Sequence, residues 1–458
     1  MKILASFVLI ATATLSLAGS LDKSFQDVSG TILERSGKRV QWNRSTAQDA
    51  EAERYVRSLL KRPLTANSAE QVALLNNHEL QATYEEIGIA QADLIEAGLL
   101  RNPLFSIERR WPGHALEMDI LAEFVDLLFL PVRKRVARAQ LEAAKLRVAH
   151  EILKTVTEVR AAFYEHQGNQ QLGELGATAE QAAAASAEAA LKLHEAGNTR
   201  ALDLANEEAL HVQTRLDLAK ARSLGIASRE RLNKLMGAWG EQTTWRITAR
   251  LPDPPLPEIS AGGLEARAIE QRLDLAALKH NAVAEAQRLG SARFQEIMRQ
   301  FEVGVHFERE IDGPRSTGPS LIVPIPFFNF GQAAKARAEA KVRQLQQRYL
   351  ALAVEIRSEV RAARDRMFLA RERADYFQSI ALPLRRRILE ETQLQYNAMQ
   401  IGVFDLLRAK QEEVNAGREY VEALREYWVA RAELEKAVGG SLSGKRLLLS
   451  NKEVIQRK

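Results

Sequence analysis

The chain repeats itself, and that duplication constrains its fold more than any other feature. Glu79-Leu80-Gln81-Ala82 is matched by Asp274-Leu275-Ala276-Ala277, and Ala137-Arg138-Ala139-Gln140 by Ala336-Arg337-Ala338-Glu339. Leu202-Asp203-Leu204 is matched by Phe404-Asp405-Leu406. The two copies close on Leu232-Asn233-Lys234-Leu235-Met236-Gly237 and Leu434-Glu435-Lys436-Ala437-Val438-Gly439. The period far exceeds that of a solenoid repeat, so each copy is a structural half rather than a stacking unit. The boundaries that follow are 68–237 for the first copy and 264–440 for the second. They are flanked by an N-terminal extended, equatorial segment (19–67), a linker (238–263) and a C-terminal tail (441–458).

Within each copy the order reads helix, two short strands, very long helix, helix. The first helices are expected over Ser68–Leu100 and Leu264–Arg299, the long ones over about Val132–Glu195 and Gln332–Tyr396. At ~1.5 Å per residue, about 64 helical residues extend ~96 Å. Pro383 predicts a kink in the second long helix. Val148, Ile152, Val156, Val159 and Phe163 recur at three- and four-residue steps, as do Leu345, Tyr349, Leu352, Ile356, Val360, Ala363 and Met367. This is the spacing of helices packed lengthwise, and a plain coiled-coil rod would share it.

The strands oppose a rod. Phe301, Val303, Val305 and Phe307 alternate with Glu302, Gly304, His306 and Glu308. After a turn near Asp312-Gly313-Pro314, apolar Leu321, Val323, Ile325 and Phe327 follow. The first copy offers strands over 104–109 and 120–128, joined by a turn near Pro112-Gly113. Apolar-out, polar-in strands suit a transmembrane barrel, although a soluble hairpin with one buried face looks similar. On the barrel reading Glu302, His306 and Glu308 line the lumen.

Composition closes off other classes. Of 458 residues, 46% are apolar and 27% charged, with a net charge of only +5 and mixed signs along the chain. That suits a folded protein and not a dedicated nucleic-acid binder. Cysteine is absent, which excludes disulfides, a thiolate nucleophile and a lipid-bearing N-terminal Cys. Lys2, the apolar run Ile3–Leu17 and Ala18-Gly19 read as a secretory signal peptide (1–18) cleaved after Ala18. An uncleaved anchor is disfavoured because a span needs ~20 apolar residues. An exported chain without a helical span enters a membrane only as a closed β-barrel. Four strands are too few, since such barrels begin at ~8. Three copies would supply twelve.

Several phrases, taken in order, resemble the TolC family of outer-membrane efflux proteins over nearly the whole mature chain. They are Ala73-Leu74-Leu75-Asn76-Asn77, Glu96-Ala97-Gly98-Leu99-Leu100-Arg101-Asn102-Pro103, Pro324-Ile325-Pro326-Phe327-Phe328-Asn329-Phe330-Gly331, and the stretch from Tyr396 to Leu407. Trp42 to Pro63 resembles the heavy-metal branch, whose pumps are of the resistance-nodulation-division type. The resemblance implies a mainly α fold with a small β part. Long helical hairpins would form a periplasmic α-barrel, and four strands per chain would enter a trimeric twelve-stranded β-barrel. It further implies a homotrimer in the outer membrane of a Gram-negative cell, in contact with its lipid and extending into the periplasm. Its partners would be a periplasmic adaptor and an inner-membrane pump.

The implied function is a passive conduit for heavy-metal cations. A multidrug or type I secretion outlet on the same fold is one alternative, a periplasmic coiled-coil scaffold another. The resemblance places a constriction at the helical tips, with Gly197 and Asp203 in the first and Met399, Asp405 and Tyr396 in the second. Arg408 stands where some members carry a second acid. An acidic ring would favour cations, but Asp203 and Asp405 equally suit capping of the helices that follow. The eight histidines show no helical metal-ligand spacing, and no nucleophile–base arrangement or phosphate loop is present. No enzymatic activity, metal site or cofactor is expected.

Overall fold

A computed structural model describes residues 21–44, 46–109, 116–122, 125–247, 250–256, 262–298, 301–309 and 314–442. The predicted signal peptide lies outside the described residues, as do the tail beyond Leu442 and both strand-connecting turns up to Gly113 and Gly313. Helix α1 covers 21–36. Then come α2 (Ala47–Leu60), α3 (Ala66–Asn76), α4 (His78–Glu96), β1 (Leu104–Arg109), β2 (Leu116–Ala122), α5 (Val125–Glu195) and α6 (Ala201–Met236). The second copy gives α7 (Leu264–Gln271), α8 (Leu273–Ile297), β3 (Glu302–Arg309), β4 (Arg315–Ile322), α9 (Gln332–Tyr376), α10 (Leu382–Asn397) and α11 (Val403–Val438).

The chain divides into two compact units. The first comprises the described part of 1–30 with 82–150 and 273–355, the second 31–81, 151–272 and the described part of 356–458. In the first, Phe25 meets Tyr84 edge-on at 5.4 Å and Ser24 donates to Gln91, fixing α1 against α4. The sheet belongs to this unit and runs β1-β2-β3-β4, antiparallel throughout. In the second, Val72, Val159, Phe163, Leu232, Met236 and Trp245 form the centre of an apolar core. The linker is strapped onto this unit by its own backbone: Gln167 donates to the Arg250 carbonyl and Trp428 Nε1 to that of Pro252.

The duplication is visible in the bonding of the second unit. Each first helix expected from sequence is broken once, at Asn77 and at Arg272, where ψ leaves the helical range (113° and 118°). Asn77 Oδ1 accepts the N–H groups of Glu79 and Leu80, capping α4, while its Nδ2 donates to the Leu235 carbonyl. Arg272 donates in the same manner to the Ala437 carbonyl. Both closing helices end on a left-handed glycine, Gly237 (φ 64°) and Gly439 (φ 86°), as the repeated closing phrase anticipates.

Other boundaries differ from the sequence reading. The segment 19–67, expected as extended, contains α1 and α2. Thr46 and Asp49 form a capping box that starts α2. The strand expected over 120–128 is β2 at 116–122. Leu127 and Leu128 instead begin α5, which starts at Val125 and carries Pro131 within it. The last strand stops at Ile322 because Pro324 and Pro326 have no N–H to give to a ladder, and Pro319 is tolerated because β4 is an edge strand. The irregularity expected at Pro383 begins ahead of it. The proline ring opposes the carbonyl four residues back, and the helix widens into a π-turn over Phe377–Ala381 before α10.

Candidate functional site: a two-faced sheet and two helical tips

Strand alternation sorts the sheet into two chemically opposite faces. One carries the cross-strand rows Phe105–Ile120–Val305–Pro319 and Ile107–Met118–Phe307–Thr317. The other carries Ser106–Asp119–His306–Gly318 and Glu108–Glu117–Glu308–Ser316, with Leu104–Leu121–Gly304–Ser320 and Glu302–Ile322 at the end nearer the helices. Glu302, His306 and Glu308 thus share the polar face, as their spacing required. The sequence had not singled out Asp119, which sits directly across from His306. His306 Nδ1 lies 2.7 Å from Asp119 Oδ1, and Ser106 donates to Asp119 Oδ2 at 3.2 Å.

No residue of the four strands is buried. A soluble hairpin would bury its apolar face, and no described element of this chain covers it. Phe105 and Ile107 stand 63% and 61% exposed. Within the chain β1 and β4 each pair on one side only.

The two tips share one backbone design. α5 ends with Gly197 N–H on the His194 carbonyl and Asn198 N–H on that of Leu193. α10 ends with Met399 N–H on Tyr396 and Gln400 N–H on Gln395. Gly197 (φ 73°) and Met399 (φ 57°) occupy the same left-handed position. For methionine that conformation costs on the order of 1 kcal/mol, and Met399 is 94% exposed.

Asp203 and Asp405 both sit in the first turn of the returning helix, with N–H groups on the Arg200 and Gly402 carbonyls. Their surroundings differ. Arg200 clamps the Asp203 carboxylate and, with its own backbone N–H, holds it below the usual carboxylate range. Glycine replaces this arginine before Asp405, which is exposed. Arg408 is exposed one turn on, and Tyr396 is 37% exposed. The acid pairs of the hairpins bridge to basic neighbours, Glu412 to Arg385 at 3.1 Å and Glu413 to Lys410 at 2.6 Å.

Burial is uneven between the hairpins. α5 buries residues as far as Ala190, whereas α10 buries none. The second unit also holds a buried charged cluster that no motif in the sequence marks. Glu70, fully buried, receives Arg160 Nε at 2.6 Å and Lys38 at 2.9 Å, and Arg160 also pairs with buried Glu435. Burial raises the Glu435 carboxyl, and Arg160 opposes that rise. The second copy repeats the pair as Arg361–Glu265 at 2.9 Å, on the surface. Among the described residues, no three His, Asp or Glu side chains are grouped to hold a metal ion.

No protein-family model matches this sequence. The cobalt-zinc-cadmium resistance protein CzcC of Cupriavidus metallidurans is 21% identical over 396 residues, spanning 82% of this chain and 90% of that one. Among solved structures, CusC superposes with a TM-score of 0.66 at 16% identity, covering 82% of this chain and 92% of that one. The CmeC outer membrane channel of Campylobacter jejuni gives 0.69 at 16% identity, with 85% and 89% covered. The open-state MtrE outer membrane channel of Neisseria gonorrhoeae gives 0.64 at 17%, with 82% and 89% covered. The chain has the fold of these channels: long helical hairpins with a four-stranded antiparallel sheet.

Proposed function

We propose that this chain is a TolC-family outer-membrane channel that serves as the passive exit duct for heavy-metal cations in a tripartite efflux system. The observation that carries this reading is the uncovered two-faced sheet, apolar on one side and acidic on the other, with both edges unpaired in the chain. Three copies close such a sheet into twelve strands, with the apolar face toward lipid and Asp119, Glu302, Glu308 and His306 toward the lumen. Carboxylates lining a water-filled passage attract cations without holding them, which suits a conduit. The likeness to CzcC favours cobalt, zinc and cadmium as cargo. An adaptor and an inner-membrane pump would supply docking and energy at the helical tips.

The two repeats, their boundaries and the tip residues enter this reading as its working parts. Asp405 is the gate acid, and Asp203 is a paired structural acid. A strain lacking the gene is expected to become sensitive to cobalt, zinc and cadmium while its tolerance of drugs and detergents is unchanged. Drug sensitivity instead would move the protein to a multidrug outlet, and loss of protein secretion without metal sensitivity to a secretion outlet.

A further inference from the structure

The last row of the apolar face breaks its pattern. Arg109 pairs with Leu116, Leu116 with Arg309, and Arg309 with Arg315. Three of four positions in this row are arginines, on the same face as Phe105, Ile107, Val305 and Phe307. The row lies two residues beyond the last apolar row, ~7 Å along the strands. All four helix-bearing strand ends are at the opposite end of the sheet, because α4 and α8 lead into β1 and β3 while β2 and β4 lead into α5 and α9. The arginines therefore stand at the turn end, opposite the strand–helix junctions.

We propose that Arg109, Arg309 and Arg315 form a binding site for the phosphate groups of lipid headgroups in the outer leaflet. This rests on the outer-membrane reading above. Arg309 and Arg315 are direct cross-strand partners, and like charges so placed repel unless an anion lies between them. Adjacent strands are ~4.8 Å apart, so paired arginines on one face are close enough to share one phosphate, with Arg109 two strands from Arg309, ~10 Å away, for a second. Guanidinium forks match phosphate oxygens in pairs. Arginine stems cover apolar surface while their charged ends reach polar surroundings, which suits a row at the edge of an apolar band. Charge is also sorted by face: at this end the polar face carries Glu108, Glu117 and Glu308, the lipid face only arginine. A lumen-facing selectivity device would need the opposite placement.

The test uses the full-length oligomer in detergent with bis-phosphorylated lipid A as the probe, read by native mass spectrometry. Wild type is expected to retain the lipid, and Arg309→Gln with Arg315→Gln to bind it about thirtyfold more weakly, from about 1 kcal/mol per arginine near an anionic surface. Lysine at both positions should recover part of the loss. A lipid A stripped of its phosphates should bind wild type no better than the double glutamine variant binds the intact lipid. Equal affinity of wild type and variant, or of the two lipids, overturns the proposal. Displacement by millimolar inorganic phosphate would also overturn it, by assigning the row to a free anion. Heat-resistant oligomer and unchanged conductance show that the variant is folded. Wild-type protein found soluble would overturn the membrane reading as well, so the two failures are distinguishable.

Discussion

Arg200 grips both carboxylate oxygens of Asp203, 2.9 Å from Nε and 3.0 Å from Nη2, while the equivalent Asp405 follows a glycine and has no such clamp. The two copies carry acids at equivalent tip positions, and a difference at one neighbouring residue gives them different surroundings.

The tip is therefore expected to respond to three substitutions in opposite senses. Asp405→Ala and Gly402→Arg should each lower the cation preference of the pore, and Arg200→Ala should raise it. Two unit charges ~8 Å apart in water interact by about 0.5 kcal/mol, so each change should be about twofold in permeability ratio. Reversal potentials in planar bilayers under a salt gradient report it. Unchanged selectivity in Asp405→Ala would leave that residue a helix-start acid only.

Arg160 neutralises two buried carboxylates at once. Arg160→Met takes the shared partner from two buried carboxylates and leaves Glu70 only its Lys38 pair, and a loss of about 3–5 kcal/mol is expected. Adding Glu70→Gln and Glu435→Gln should restore most of it. Urea unfolding followed by far-UV circular dichroism measures both. Arg361→Met, at the exposed equivalent, should cost less than about 1 kcal/mol.

The closing glycines provide a second comparison between repeats. A Cβ on Gly237 would lie 2.5 Å from the Asn76 carbonyl oxygen, whereas one on Gly439 would meet Gln271 at 3.3 Å. Both alanine variants bear the left-handed backbone penalty of about 1 kcal/mol. Gly237→Ala should lose clearly more, because the α3–α4 break must shift to admit it. Thermal unfolding of the two variants side by side gives the ranking.

His166 sets an acid limit. It is buried against Ser228 and Trp245, and burial, with nearby Arg229, pushes its pKa down to about 4. The unfolded chain binds a proton near pH 6.5 and the folded chain does not until about pH 4. Stability is thus unaffected above pH 6.5 and falls between 6.5 and 4, by about 3 kcal/mol in all. His166→Gln should remove that part of the pH slope, read as urea midpoints at pH 7 and pH 4.5.

Much of this architecture is legible in the residues, and the failures have physical causes. The repeated phrases and helical spacings expose the duplicated hairpins because lengthwise packing demands a period that survives in sequence. The break at Asn77 and Arg272 leaves no such trace. Neither residue is a helix breaker, and the bend is held by carbonyls of Leu235 and Ala437 more than 150 positions away. Leu127 and Leu128 misplaced a strand because a short apolar run suits helix and strand alike. His306, Glu302 and Glu308 were found through alternation, but Asp119 was not, because cross-strand register depends on turn geometry. Aligning the two copies could have revealed the Glu70–Arg160 pair, since Glu265 and Arg361 repeat it.

The most direct test of the central claim is the conductance of the purified full-length protein in planar lipid bilayers. The account predicts detergent-extracted oligomers that insert as one class of stable, cation-preferring channels. A soluble monomer that produces no conductance steps would contradict it.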